Sequence, residues 1–174
     1  MTSTIVFATP RLSLRQLTTG DATFICELLN DPDFVRFVAD RGVRTDDDAR
    51  RYIADGPVAS YARHGFGLWL VERNDDGTPI GICGLLKRDV LPDADIGFAF
   101  LPAFRARGYA HEAAAAVLAS ALPRFGLARV SAVVNPENAG SIRVLEKLGM
   151  TFERMVRLSD TAREIKLFAI DLQS

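Results

Sequence analysis

The residues best suited to chemistry lie in one short stretch, Arg105-Ala106-Arg107-Gly108-Tyr109-Ala110. It stands between a segment of strand character and the start of a helical one. The first amides of a helix have no partner within it, and the helix dipole places partial positive charge at that end. Such an end binds phosphate. Gly108 removes a side chain where the backbone must bend and approach a ligand. Ala110 keeps the next position small, and Arg105 and Arg107 add positive charge beside a pyrophosphate. Residues 113–116 are all alanine, so the helix can lie close to a sheet or a ligand. The same six residues also fit an ordinary glycine-containing turn with two solvated arginines, so support must come from their context.

Rival chemistries lack their residues. No Gly-x-x-x-x-Gly-Lys-Ser/Thr occurs. Gly65-Phe66-Gly67 begins like a dinucleotide fingerprint, but Leu70 stands in place of the third glycine, and the glycines precede a strand instead of following one. Cys26 and Cys83 are far apart and read as small core residues. His64 and His111 are isolated, and Asp93 with Asp95 alone is a poor ligand set, so no metal site is expected.

These residues need a frame. Residues 11–17 (RLSLRQL) alternate apolar and polar and predict a first strand. Residues 21–29 predict a helix that stops at Asn30-Asp31-Pro32. Thr45 can cap a second helix, whose opening run Asp46-Asp47-Asp48 suits its positive end. Residues 66–72 and 80–86 read as strands joined by a turn at 74–77, and residues 94–101 as another. A helix over 109–122 follows, ended or bent by Pro123. Then come a strand at 129–134, a helix at 139–148 capped by Gly149, and a closing antiparallel pair at 151–158 and 164–172. The order β-α-α-β-β-β-α-β-α-β-β argues for the α+β class: one domain over 1–174, with a mixed sheet flanked by helices. Residues 94–134 should form a right-handed crossover between two parallel strands.

The bulk properties agree. The chain has 174 residues, 48% hydrophobic and 25% charged, as expected of a globular domain. A net charge of −1 offers no basic excess for nucleic acid or an anionic membrane. Residues 1–9 lack the basic start and apolar run of a signal peptide. No stretch approaches the roughly 18 to 20 apolar residues of a membrane span, so a cytoplasmic location is expected.

Arg105-x-x-Gly108-x-Ala110 after a strand, Asn135-x-x-Asn138-x-x-Ser141 after the next, and Glu146-Lys147-Leu148-Gly149-Met150 resemble, in that order, the GNAT superfamily of N-acetyltransferases. The opening Thr9-Pro10-Arg11-Leu12-x-Leu14-Arg15, then Asp21-Ala22 and Asn30-Asp31-Pro32, is similar to its RimJ/RimL branch of ribosomal-protein N-terminal acetyltransferases. The resemblance runs from about residue 9 to 150. It implies the acyl-CoA N-acyltransferase fold, mostly antiparallel, with two parallel strands splayed apart and the pantetheine arm of acetyl-CoA in the gap. Phe98, Ala99 and Phe100 would offer backbone groups to that arm, and the phenylalanines would also pack in the core. Residues 105–110 would wrap the pyrophosphate, Tyr109 among them. Asn138 would bind the arm from the other side, cap the helix that follows, or do both.

The resemblance also assigns the catalytic candidates. Ser141 would protonate the leaving thiolate, where many relatives use a tyrosine; it could instead bond its own helix backbone. Asp95 stands where many relatives carry a base glutamate, and aspartate is one methylene shorter; it could equally be a surface acid at a strand end. Glu112 is a second candidate base, or a complement to the helix dipole. A free lysine with pKa near 10.4 is neutral only about once in 2,500 at pH 7, equivalent to roughly 4.6 kcal/mol. An α-amine of pKa about 7.7 to 8.0 is neutral about 10–20% of the time. A chain with no obvious catalytic histidine therefore suits a protein N-terminal α-amine or another low-pKa amine. A second enzyme reading keeps the fold and changes the donor to another acyl-CoA, or the acceptor to an antibiotic, polyamine or metabolite amine. The acceptor groove is expected between residues 31–64 and the last hairpin, lined by Tyr52, Tyr61 and Trp69 unless these serve the core. An acyl-CoA-binding sensor on the same fold is the alternative to an enzyme. The sequence leaves monomer and homodimer open.

Overall fold

The computed structural model describes residues 4–173, and the chain enters its sheet one strand earlier than the alternation predicts. β1 (Ile5–Ala8) pairs antiparallel with β2 (Leu12–Gln16). β1 is short and its Ile5 is exposed, so it carries little alternation to read. β3 (Leu68–Arg73), β4 (Pro79–Leu86), β5 (Asp95–Phe100), β6 (Arg129–Val134), β7 (Thr151–Val156) and β8 (Ile165–Asp171) complete an eight-stranded sheet among the described residues. The spatial order is β1-β2-β3-β4-β5-β6-β8-β7, and β5 with β6 is the parallel neighbour pair. This is the acyl-CoA N-acyltransferase architecture that the resemblance implies.

The helical region differs most from its pattern. α1 (Ala22–Leu29) lies where expected, but Pro32 opens a helix instead of closing one. Asp31 caps the amide of Phe34 at 3.2 Å, and Pro32 takes the first turn of α2 (Pro32–Phe37), where its missing N–H costs nothing. α3 (Asp46–Ile53) begins with the capping box of Thr45 and Asp48. It runs through a π turn (Ala54–Val58) containing Pro57 into α4 (Ala59–His64), which Gly65 ends in the left-handed conformation.

α5 (Tyr109–Phe125) passes Pro123 by two residues. The terminator is Gly126 at φ 70°, where Gly126 and Leu127 amides bond the carbonyls of Leu122 and Ala121. α6 (Ala139–Lys147) lies beside α5. Ala113, Ala114, Val117 and Ala121 are buried, and the small side chains let α5 lie close against β2, β4 and β5. Two cores result. One joins α5 to Trp69, Leu85, Ile96 and Phe100; the other joins α1 to α3 with Leu70 and Ile82 across the sheet. Cys83 is buried in the first, where burial pushes its thiol up. Among the described residues no helix is long and apolar enough to cross a membrane, and no group of His, Cys, Asp and Glu could hold a metal.

Candidate active site

β5 and β6 meet at one pairing, Asp95 with Ser131, where the Ser131 amide bonds the Ala94 carbonyl at 3.0 Å. Beyond it the strands diverge. β5 stays in register with β4, and the Leu101 amide bonds Ile80 O at 3.0 Å. Hydrogen-bonded pairs alternate along an antiparallel ladder. Asp95, Gly97 and Ala99 therefore turn their backbone groups to β4, while Phe98 and Phe100 turn theirs into the gap. Of the three residues expected to offer backbone to a ligand, Ala99 does not face it. The Phe100 carbonyl is already taken by Arg105 Nε at 2.9 Å, which leaves its amide.

The gap leads to the loop before α5. Ala106 and Gly108 both have positive φ, 59° and 81°, and this pair of left-handed residues bends the chain around the helix end. Gly108 is the N-cap and supplies no side-chain bond, so the first-turn amides stay open to a ligand. The arginines divide. Arg105 is committed, with Nη2 on Asp31 at 2.6 Å and Nη1 on Asp33 at 2.7 Å; it fastens the loop to α2 and does not stand free beside the helix end as its spacing implied. Arg107 is exposed and has no ion pair among the described residues.

Arg11, which the spacing analysis passed over, takes the vacant role. It packs over the Tyr109 ring at 4.5 Å and donates to Arg107 O at 3.0 Å. Its Nη2 stands 3.3 Å from where a Cβ on Gly108 would be. Glu112 holds it there. Glu112 accepts from Arg11 Nε at 2.7 Å, from the Arg11 amide at 3.0 Å and from Thr9 Oγ1 at 2.5 Å. Burial pushes the Glu112 carboxyl up, and these bonds outweigh it and hold the carboxyl below its ordinary value. A carboxylate so occupied is a structural clasp, and Glu112 is ill-suited to take a proton. The Arg11–Glu112 link spans a hundred positions of chain, beyond the reach of local spacing.

Across the gap, Asn138 Oδ1 caps α6 by accepting from the Ser141 amide at 3.2 Å. The Ser141 hydroxyl is half-buried and bonds no described residue, so the back-bonded arrangement open to it in sequence is not adopted. Ser120 does adopt that arrangement, toward Ala116 O at 3.1 Å. Asp95 is not a surface acid: its exposure is 0%. Burial pushes its carboxyl up to about 6, against the pull of Arg88, whose Nε lies 3.2 and 3.3 Å from the two oxygens.

On the other face two cavities adjoin beneath α3, the π turn and α4. Of the three aromatic candidates only Tyr52 lines them. Tyr61 donates to Leu68 O and accepts from the Leu17 amide at 3.0 Å, and Trp69 packs between Phe7 and Phe125 in the core. The last hairpin contributes to neither cavity.

The acetyltransferase (GNAT) domain model matches residues 11–151. The uncharacterised protein YkkB of Bacillus subtilis is 30% identical over 86% of this chain and 87% of its own. A GNAT-family acetyltransferase structure from Bacillus anthracis superposes with a TM-score of 0.78 at 26% identity, covering 97% of this chain and 98% of the other. RimL, a ribosomal L7/L12 alpha-N-protein acetyltransferase solved in complex with coenzyme A, superposes with a TM-score of 0.84 at 15% identity, over 97% and 98% of the chains; that likeness is one of fold.

Proposed function

The chain belongs to the GNAT acetyltransferase family and is an acyltransferase; from that premise we propose that it transfers an acetyl group from acetyl-CoA to a primary amine, by direct attack in a ternary complex. The observation that carries this reading is the single pairing between β5 and β6, which opens a gap lined by backbone and leading to an uncapped helix end.

The pyrophosphate of acetyl-CoA fits the first-turn amides of α5, with Arg107 and Arg11 supplying charge. Gly108 leaves room for it. The pantetheine amides match the Phe98 backbone groups and the Asn138 side-chain amide. With the thioester held in the gap, the Phe100 amide is placed to stabilise the oxyanion. Asp95 takes one proton from the ammonium through water. The freed nitrogen pair attacks the thioester carbonyl: a C–N bond forms and the C–S bond breaks. The sulfur leaves with its electron pair and receives a proton through the Ser141 hydroxyl, which recovers one from the second nitrogen proton. Asp95 and Ser141 act in the transition state, and the loop acts in binding.

The acceptor is an α-amine of a peptide or a small-molecule amine, for which a base near pKa 6 is adequate. Thiol release from acetyl-CoA with a panel of amines, including short peptides beginning with Ala or Ser, tests the reading. Amine-dependent release is the expected result. Coenzyme A binding with no release for any amine would make the protein an acyl-CoA sensor.

A further inference from the structure

The inner of the two cavities has a volume of about 230 Å³ and an apolar floor of Leu68 and Leu86. Leu86 is the register partner of Asp95. Leu86 and Leu68 stand 3.7 and 3.9 Å from where a Cβ on Gly97 would be. These two leucines therefore lie between the cavity and Gly97 of β5. An acceptor lying in the cavity approaches β5 from the face opposite α5.

The charge in these walls is unbalanced. Arg63 and Lys87 line the inner cavity, with His64 beside them, against a single carboxylate, Asp55. Arg63 has no partner among the described residues. Lys87 Nζ donates to the carbonyls of Arg88 at 3.0 Å and Leu91 at 2.8 Å and makes no ion pair among the described residues, its charge acting on the Asp95 carboxyl. The outer cavity, about 440 Å³, shares Tyr52 and Asp55 and adds Arg41, again without an ion pair. Its other acid and base, Asp48 and Arg51, neutralise each other.

Resting on the acetyltransferase reading above, we infer that the acceptor is an amine carrying an anionic group, such as a carboxylate, close to its nitrogen, with Arg63 taking the anion. The inference follows from the charge count. A polyamine or an aminoglycoside brings several cations into walls that already hold Arg63 and Lys87 against one acid, and is repelled. A dipolar acceptor satisfies both signs at once.

Two sources share this chemistry: a free amino acid or short peptide with its terminal carboxylate, and a protein N-terminus with an acidic side chain nearby. Three peptides with an N-terminal alanine separate them. Ala-Gly-NH2 has no anion, Ala-Gly has a terminal carboxylate, and Ala-Glu-NH2 has a side-chain one. Michaelis constants for thiol release should be about fivefold lower for whichever anionic peptide matches, relative to the neutral amide, as for one partly exposed charge pair. Spermidine should be the poorest acceptor. Arg63→Gln should bring the ratio of anionic to neutral Michaelis constants toward one, with melting temperature as the control for folding. Calorimetric titration of the peptides into coenzyme A-loaded protein reads the same preference without turnover. Equal affinity for all three peptides, or a preference for spermidine, overturns the inference; turnover of the neutral amide in that case leaves the acetyltransferase reading standing. Absence of turnover with a retained affinity difference would reject the enzyme and keep the anionic ligand.

Discussion

At Asp95, burial raises the carboxyl to about 6, while the Arg88 and Lys87 charges pull the other way. The folded protein thus holds this proton more tightly than an unfolded chain whose carboxyl titrates near 3.8. The stability contributed by the group is complete below about pH 4 and is lost as pH climbs through 4 to 6, by up to about 3 kcal/mol. Asp95→Asn cannot ionise. Relative to wild type its melting temperature should therefore gain some 2–4 °C between pH 5 and pH 8, about 1 kcal/mol, on top of any fixed offset from losing Arg88. A constant difference across that range would show that Asp95 is not a costly buried charge. The same substitution should slow transfer by about 10²-fold or more near neutral pH and recover partly toward pH 9.5, where the amine loses its proton unaided. Parallel pH–rate profiles would remove Asp95 from the reaction. Ser141→Ala tests the other proton transfer. Its hydroxyl bonds no described residue, so stability should change by less than about 0.5 kcal/mol, while kcat falls more than the Michaelis constant rises. Turnover within a factor of two of wild type would leave the hydroxyl without a catalytic part. Both residues became candidates through the resemblance to the GNAT superfamily. The burial of Asp95 was not legible in the sequence, because it follows from β5 lying inside the sheet between β4 and β6, and β6 lies far along the chain.

Among the elements, the loop and the first turn of α5 carry the most consequence for binding. Gly108 at φ 81° occupies a conformation that costs an ordinary residue roughly 1–2 kcal/mol. Gly108→Val adds a side chain where Arg11 Nη2 already stands 3.3 Å away, at the mouth of the helix. Calorimetry should show coenzyme A affinity lost by tenfold or more, with a stability loss confined to about that local cost. Unchanged affinity would move the pyrophosphate elsewhere. Helices were read best where their caps lie within one turn: Thr45 with Asp48, and Asn138 with the Ser141 amide. They were read worst around proline. Pro32 looks like a stop and is a start, because Asp31 before it is a cap; Pro123, expected to end the helix or bend its last turn, lies within that turn, and Gly126 supplies the stop. The π turn at Pro57 gave no periodic signal, since it interrupts the repeat that sequence reading depends on.

For the whole molecule, the sheet is continuous only through one residue pair between its first five strands and its last three. α5 packs on β2, β4 and β5 and also touches α6, so it bridges the two parts where the sheet does not. That division was legible as a crossover between parallel strands, while the extent of the splay came only with the pairing register. A ligand in the gap should complete the missing ladder from one side. Phe98 turns its amide into the gap and Ala99 turns its amide to β4, so these neighbours make an internal comparison. Hydrogen exchange in the free protein should be fast at Phe98 and slow at Ala99. Saturating coenzyme A should slow Phe98 strongly and leave Ala99 little changed, because only the first gains a bond. The whole fold should gain about 2.7 kcal/mol at a hundredfold excess over Kd, which at this size is some 5–10 °C in melting temperature. Gly108→Val should abolish both effects at the same ligand concentration, since it blocks entry at the far end of the same gap. Protection of Phe98 that survives in Gly108→Val would mean that the arm binds without the phosphates, and equal protection of Phe98 and Ala99 would mean that the gap is already closed in the free protein.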